Sequence, residues 1–389
     1  MKHETSARLD IEVVTAYTLA DMDKAEWDSV CGRDYFLSYD YLLHVERSMR
    51  ESYRYAYVLV RRHGESVLGA PLFYMDICAD TLLDPGRMKT AAERIRRILP
   101  SAFRIRSLVV GSPPSIGNFG IAEKGGNCYP AEMAALARTL TELRDKGGAK
   151  LVLYKEMPEA FRTRYKEVWE EEGLIFGFDM PNNWFDVRWH TDEEYLAAMR
   201  GKSRQAIRKS AGKLSAKGVC VKRLTDTQKA LGMREYEMYH TVLMKSDHIF
   251  EVLTKEYFSD ICCLSRMDPC LVAIMKDDQI MGYFLICNSA KDEIAAMFAG
   301  IDYRFNNDYD VYFNLFHEVI IYAMSTGKKR ICFGQNTYEV KQRMGCRIEE
   351  LYIGLTHRSR LLNRILARLS AALLPRIEIS GRRVFKEDI

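Results

Sequence analysis

Apolar positions along this chain follow two rhythms, an alternation of period two and a helical stripe of period three to four, separated by glycines and prolines. AYVLVRR (56–62) and SVLGAPLFYMDI (66–77) flank His63 and Gly64 and predict a β-hairpin. AAERIRRILP (91–100) predicts a helix ended by Pro100. IRSLVVGSPPSIGNFG (105–120) predicts a strand that runs into a Gly/Pro/Ser loop. AEMAALARTLTELRDKG (131–147) reads as a helix stopped by Gly147 and Gly148, AKLVLYKEMP (149–158) as a strand and FRTRYKEVWEEEG (161–173) as a helix.

A new start follows near WFDVRW (184–189). Thr191 stands as N-cap before TDEEYLAAM (191–199), with acids in the first turn to suit the helix dipole. Helix 202–218 ends at Gly218 and leads to strand 218–224; residues 227–245 and 255–265 read as helical. Residues 269–289 predict a hairpin turning at Asp277-Asp278, and 293–302 a third strand. Helix Val311 to Thr326 is closed by Gly327, and Ile331, Cys332 and Phe333 form a short strand ending at Gly334. A polar loop carrying Lys341, just before Met344-Gly345, is expected next. Both halves share the order hairpin, strand, helix, strand, which predicts two similar α/β units, 1–180 and 181–355, followed by a tail, 356–389.

The 389 residues are 48% apolar and 28% charged, an ordinary globular composition at a length that suggests two domains. A net charge of +4 is too weak to name a partner. The 10 cysteines include no C-x-x-C pair, and several sit inside apolar runs, which suggests reduced, buried thiols in a cytoplasmic protein. The opening MKHETSARLD has no signal-peptide core, and no apolar run approaches the ~18 residues that a membrane span needs.

The eight histidines are scattered, with no H-x-x-x-H or Cys-His cluster, so no metal is expected. No GxSxG elbow, P-loop or GxGxxG is present. The strongest bias lies in residues 200–223, where nine Lys/Arg occur without one acid. On a helix, Ile207, Ala211 and Leu214 form an apolar stripe, and Lys209, Lys213 and Lys217 a separate cationic one. This face is either simply solvated or a binding face for phosphates of a nucleotide-type cofactor or an RNA backbone. The tail from residue 358 holds eight Lys/Arg against three acids. Its helical stripe of Leu362, Ile365, Leu366, Leu369 and Leu373 either packs on the body or a second subunit, or makes peripheral contact with an anionic membrane.

A reaction without metal, triad or nucleotide loop can still be group transfer from an activated donor, where the protein positions an amine and stabilises an oxyanion. Several residues carry a resemblance to one such group. Asp186, Tyr195, Leu196, Met199, Lys202, Arg204, Arg208, Lys209 and Gly218 match the spacing that opens the acceptor half of FemAB-like members of the GNAT acyltransferase superfamily. AAMFAGID, a polar linker, helix 311–326 and ICFGQNTYEVKQRMG resemble the group's closing elements. LVLYKEMP with EEEGLIF is similar to the seam between its tandem units. Two departures stand out: ICFG lacks the Asp usual after the last strand, and RFNNDYDVYFN replaces the acyl-CoA loop of ordinary acetyltransferases.

The resemblance implies an α/β (mixed α+β) fold of two tandem GNAT-like units, each a central mixed, mostly antiparallel sheet flanked by helices. It implies an N-acyltransferase that moves an acyl or aminoacyl group onto the amine of a small molecule or cell-wall precursor. The donor would be acyl-CoA, or aminoacyl-tRNA as in Fem-type transferases; a non-catalytic binding protein on a GNAT frame is the third reading. No DNA partner is implied. Lys341 would be the cation in the active cleft, with Glu339 and Tyr338 beside it. Lys202, Arg204 and Arg208 would line the same cleft. Tyr303, Asn306, Asn307 and Tyr309, with Gly334 and Asn336, would meet the donor.

Overall fold

The computed structural model describes residues 10–78, 104–126, 128–246 and 249–387, and the helix expected over 91–100 lies outside them. The chain divides into two compact units. One comprises Met1–Pro113, Asn118–Asp179 and Leu351–Arg376; the other Pro114–Gly117, Met180–Glu350 and Ile377–Ile389.

In the first unit, β1 (Ile11–Ala16) is followed by α1 (Lys24–Cys31) and α2 (Tyr39–Met49). The hairpin β2 (Arg54–Arg62) and β3 (Glu65–Cys78) turns on His63 and Gly64, with φ of 50° and 77°, the left-handed pair that a tight hairpin requires. Then come β4 (Arg104–Val110), β5 (Ala122–Glu123), α3 (Pro130–Lys146) and β6 (Leu151–Pro158). The crossover through α3 makes β6 parallel to β4, Ser107–Val110 facing Leu151–Tyr154. The helix expected over 161–173 is two short ones, α4 (Glu159–Arg164) and α5 (Lys166–Glu171), before β7 (Ile175–Phe178). The break falls at Tyr165, whose buried ring sends its hydroxyl to the Glu123 carboxylate and leaves helical geometry.

The second unit opens with β8 (Asn182–Asp186), α6 (Asp192–Ala198) and α7 (Gly201–Gly212). Thr191 caps α6 as expected, its hydroxyl accepting from the Glu194 N–H at 3.2 Å. After β9 (Val219–Leu224), the helix expected over 227–245 splits into α8 (Thr227–Ala230) and α9 (Met233–Leu243). Gly232 restarts the chain there, its N–H donating to the Glu235 carboxylate at 3.1 Å. Next are α10 (Lys255–Asp260), β10 (Cys270–Lys276), β11 (Gln279–Ala290) and β12 (Glu293–Ile301). Asp277 and Asp278, with φ of 48° and 63°, form the tight turn anticipated between β10 and β11. The unit ends with α11 (Tyr303–Tyr309), α12 (Val311–Ser325), β13 (Arg330–Gly334), α13 (Tyr338–Met344) and β14 (Arg347–Glu349). Its sheet order is β14-β8-β13-β12-β11-β10-β9.

The chain then returns to the first unit. Residues 351–355, assigned from sequence to the second unit, belong to β15 (Leu351–His357), which pairs antiparallel with both β6 and β7. Two strand edges that would otherwise lack a ladder are satisfied by this one segment. The first sheet therefore runs β1-β2-β3-β4-β6-β15-β7, with β5 beside β3. The tail helix, α14 (Arg360–Leu373), follows, and residues from Ile377 onward rejoin the second unit.

Both sheets are mixed, mainly antiparallel, and flanked by helices. In each, a hairpin and a third strand are followed by a crossover helix and a parallel strand: β2, β3, β4, α3, β6 in one and β10, β11, β12, α12, β13 in the other. The anticipated internal order is visible in the topology. In the second unit α12 packs into the sheet through Val311, Leu315, Phe316, Val319 and Ile320, all nearly inaccessible. Phe316 meets Phe284 and Phe333 with ring centroids 5.0 and 5.1 Å apart. Truncating Phe316 to Ala leaves a cavity under β13 and is expected to destabilise this unit by about 3–5 kcal/mol, read from urea unfolding.

Candidate functional site

The parallel strands β12 and β13 pair only briefly, Glu293–Ala295 against Arg330–Cys332. Beyond that point β12 continues to Ile301, whereas β13 pairs back onto β8, Gly334 facing Asn183. α11 and α12 connect the carboxyl end of β12 to the start of β13, and past their short pairing the two parallel strands part, a position that favours ligands in α/β sheets.

The turn after β13 is held in an uncommon backbone shape. Gly334, Asn336 and Thr337 have φ of 68°, 63° and 50°. A β-branched residue in the left-handed region costs on the order of 1–3 kcal/mol and persists only where its surroundings impose it. Here they do. Asn183 Nδ2 donates to the Gly334 carbonyl at 2.8 Å, Gln335 Nε2 to the Met180 carbonyl at 2.7 Å, and Tyr312 Oη, from the first turn of α12, to Thr337 Oγ1 at 3.2 Å.

Lys341 completes the clamp from below. Its Nζ donates to the carbonyls of Gly334 at 3.0 Å and Gln335 at 2.6 Å, and its residue is 3% exposed. The segment expected as a polar loop is thus a short helix, α13, with Lys341 on its inner side. No extended N-cap announces that helix, because Thr337 caps it in the left-handed region. Its end was legible: Gly345, φ 95°, receives the chain in left-handed form, and its N–H reaches back to the Gln342 carbonyl at 3.1 Å. The ring of Phe385 lies where a side chain at 345 would stand.

No carboxylate lies within ion-pair distance of Lys341 among the described residues. Burial drives its pKa down from 10.5 to about 7. Burial also pushes the Cys332 thiol up to about 12 and raises that of Cys346, so both stay protonated and lend no charge. The two carbonyls match the two N–H groups of a neutral amine, which leaves its lone pair over; in the protonated form a third N–H is left over instead. Cys332 accepts from Asn182 Nδ2 at 3.3 Å and donates to the Ile116 carbonyl at 3.3 Å. That carbonyl belongs to the middle of the Gly/Pro/Ser loop, and Asn182 fills the space beside Gly117, φ 95°.

The other sequence-nominated residues divide into three groups. Tyr338 donates to the Pro181 carbonyl at 3.2 Å and helps seat α13. Glu339 is exposed and ion-paired with Arg382 at 3.0 Å. On α7, Lys202 and Arg208 are exposed, while Arg204 donates to the Met199 carbonyl at 3.3 Å; no hydrogen bond or ion pair joins any of the three to Lys341 among the described residues. Tyr303, Asn306, Asn307 and Tyr309 lie on helix α11. The Lys245 ammonium sits 3.1 Å from the Tyr303 ring centroid, and Lys276 Nζ bonds Tyr309 Oη at 2.8 Å. Asn306 Oδ1 accepts from the Tyr312 N–H at 3.0 Å, and the Asn307 carbonyl accepts from Lys213 Nζ at 3.3 Å.

Asp310 begins α12, its carboxylate 2.9 Å from Lys213 Nζ and bonded by Ser210 Oγ at 3.2 Å. An aspartate there supplies from within the chain the negative charge that a helix N-terminus favours. Asp302, just before α11, is held down to about 2 by Arg304 and, further, Arg234. Sequence reasoning missed Asn182, Asn183 and Tyr312, which meet the turn from 25 or more positions away in the chain. Among the described residues no group of three or more His, Cys, Asp or Glu could hold a metal ion.

At the level of the fold, this architecture is similar to those of several solved structures. The crystal structure of FemX aligns over 92% of this chain and 100% of its own, with 11% identity and a TM-score of 0.56. A conserved protein of unknown function from Bacteroides thetaiotaomicron VPI-5482 aligns over 89% and 99%, with 13% identity and a TM-score of 0.51. A tandem GNAT protein from the clavulanic acid biosynthesis pathway covers 90% and 99% at 10% identity, with a TM-score of 0.49. No protein-family model matches the sequence, and no curated protein does.

The low pKa of Lys341 makes stability depend on pH. Between about 7 and 10.5 the unfolded chain keeps a proton on this amine that the folded chain has shed. Stability therefore rises with pH through that window, by up to about 1.4 kcal/mol per pH unit from this group. Above pH ~9 the buried thiols act in the opposite sense, since only the unfolded chain ionises them. Lys341→Met is expected to remove the rise between about pH 7 and pH 9, measured as the difference in urea unfolding free energy between variant and parent.

Proposed function

We propose that this chain is an N-acyltransferase that moves an acyl group from an activated donor, an acyl-CoA thioester in the first instance, to the amine of a small-molecule or cell-wall-precursor acceptor. The observation that carries the proposal is the buried, acid-free Lys341 under the clamped turn at the parting of β12 and β13. Its support is the fold shared with FemX.

In this reading the acceptor nitrogen attacks the donor carbonyl carbon. An N–C bond forms, the C–S bond breaks, and the proton shed by the amine passes to the leaving thiolate. Negative charge grows on the carbonyl oxygen in between. Among the described residues Lys341 has no carboxylate to neutralise it, so an approaching oxyanion raises its pKa and receives its third N–H. A charge offered in a dry site as the transition state forms acts on the rate rather than on ground-state binding. The clamp of Asn183, Gln335 and Tyr312 fixes the turn so that little reorganisation is needed.

A specific observation favours a second donor, an aminoacyl ester carried on tRNA. The start of α12 is occupied by Asp310, which disfavours a CoA pyrophosphate there. On α7, Lys202, Arg208 and Lys209 are exposed, leaving cations for a polyphosphate backbone.

Transfer is tested by offering acyl-CoA or aminoacyl-tRNA with a panel of amines and detecting the N-acylated product by mass. Lys341→Met is expected to lower kcat/KM by about 10²–10³. The parent rate falls as pH rises past the pKa of Lys341, and this limb vanishes in the variant; an unchanged rate and profile remove Lys341 from the mechanism. With the tRNA donor, the rate drops about tenfold or more between ~50 and ~200 mM salt, and neutralising Lys202, Arg208 and Lys209 flattens that dependence. A rate indifferent to salt argues for the thioester.

A further inference from the structure

Helix α14 has three distinct sides. One is anchored to the first unit. Ser359 caps the helix, Asn363 Nδ2 donates to the Gly173 carbonyl at 2.8 Å, and Asn363 Oδ1 accepts from the His357 N–H at 2.8 Å. Just past the helix, Leu374 closes onto Gly177 of β7 so tightly that no side chain could stand at 177. The anchored side fixes the rotation of the helix about its own axis, and the other two sides are left outward.

One outward side is apolar. Leu361, Leu362, Ile365 and Leu369 are 67%, 46%, 43% and 48% exposed, and their spacing sets them on one stripe. No residue of α14 is buried. Four large aliphatic side chains on three turns of one helix form a continuous patch, unlike the scattered exposed hydrophobics that any soluble chain carries. The remaining side is cationic. Arg360, Arg364 and Arg368, spaced four apart, run along the edge of the apolar stripe, and all are exposed. Arg358 precedes them, and no Asp or Glu occurs from 358 to 377.

We propose that α14 docks the protein on an anionic lipid bilayer, lying in the plane of the interface with Leu361, Leu362, Ile365 and Leu369 among the acyl chains and Arg360, Arg364 and Arg368 on the headgroup phosphates. The charge pattern selects this occupant. A second copy of the chain would bring the same stripe and the same arginines, with no carboxylate on its own helix to pair them. A bilayer supplies both an apolar layer and a dense plane of anions at the right relative depth. Arginine suits the boundary, because its stem lies along apolar surface while its guanidinium stays at phosphate level. Among the described residues no helix is long and apolar enough to cross a membrane, so α14 lies on the surface rather than through it.

The docking is independent of catalysis and is read without any activity assay. The purified full chain is sedimented with extruded vesicles of phosphatidylcholine alone, or with about 30% phosphatidylglycerol. The proposal expects at least about tenfold stronger partitioning to the anionic vesicles, lost at ~0.5 M salt. Arg360→Gln, Arg364→Gln and Arg368→Gln together should abolish the preference. Leu361→Asp with Leu369→Asp should abolish binding; both positions are exposed, and circular dichroism verifies the fold. Failure to bind either vesicle, or equal binding to both that the arginine changes leave untouched, overturns the proposal. So does a dimer in solution, seen by light scattering, that the Leu→Asp changes dissociate, because the stripe would then be covered by a second copy.

Discussion

The second unit is organised around an amine that has been taken out of water without a countercharge among the described residues. Desolvating Lys341 is costly, and two carbonyls offset only part of that cost, so the site holds the amine near its ionisation point instead of as a fixed ion. Much of the surrounding structure follows from this constraint. The carbonyls of Gly334 and Gln335 can converge on one nitrogen only if the chain turns sharply after β13, which requires the left-handed residues seen there. The turn in turn requires Asn183, Gln335 and Tyr312 to hold it. Gly345 must then stop α13 after 7 residues so that β14 can reach β8.

How much of this was legible depends on the range of the interactions. The Asp277-Asp278 turn, the Thr191 cap and the ends of α12 are encoded within a few residues, and the chain folds there as its pattern reads. The order of elements in each unit was visible for the same reason. The breaks at Tyr165 and Gly232 were not, since apolar periodicity runs through both and the first is imposed by a hydroxyl reaching Glu123 on another element. Lys341 was singled out by its place beside Met344-Gly345, but its burial was not visible. A lysine among Gln, Arg and Glu reads as solvated, and only tertiary packing sets it against Cys332 and Cys346. The returning strand β15 was hidden because its two partner strands are distant in sequence.

The charges form a pattern across the second unit. Acids are concentrated where α11 and α12 begin, at Asp302 and Asp310, each engaged by cations of the same chain. Exposed cations lie on α7, while the buried amine carries none of its charge permanently. Such a site is suited to a reaction in which negative charge is transient, located at one atom, and absent from the resting state. The neutral thiol of Cys332 belongs to the same logic: a carboxylate in its place, beside Lys341, would fix the ammonium and cancel its field.

The ionisation of Lys341 is therefore the most direct test. In protein carrying labelled lysine, the resonance of its side-chain nitrogen or ε-carbon is followed through a pH titration and assigned with Lys341→Met. A midpoint near 7 is the result that follows from an amine buried without a countercharge. A midpoint close to 10.5, the value for a solvated lysine, would contradict it and with it the account of the site.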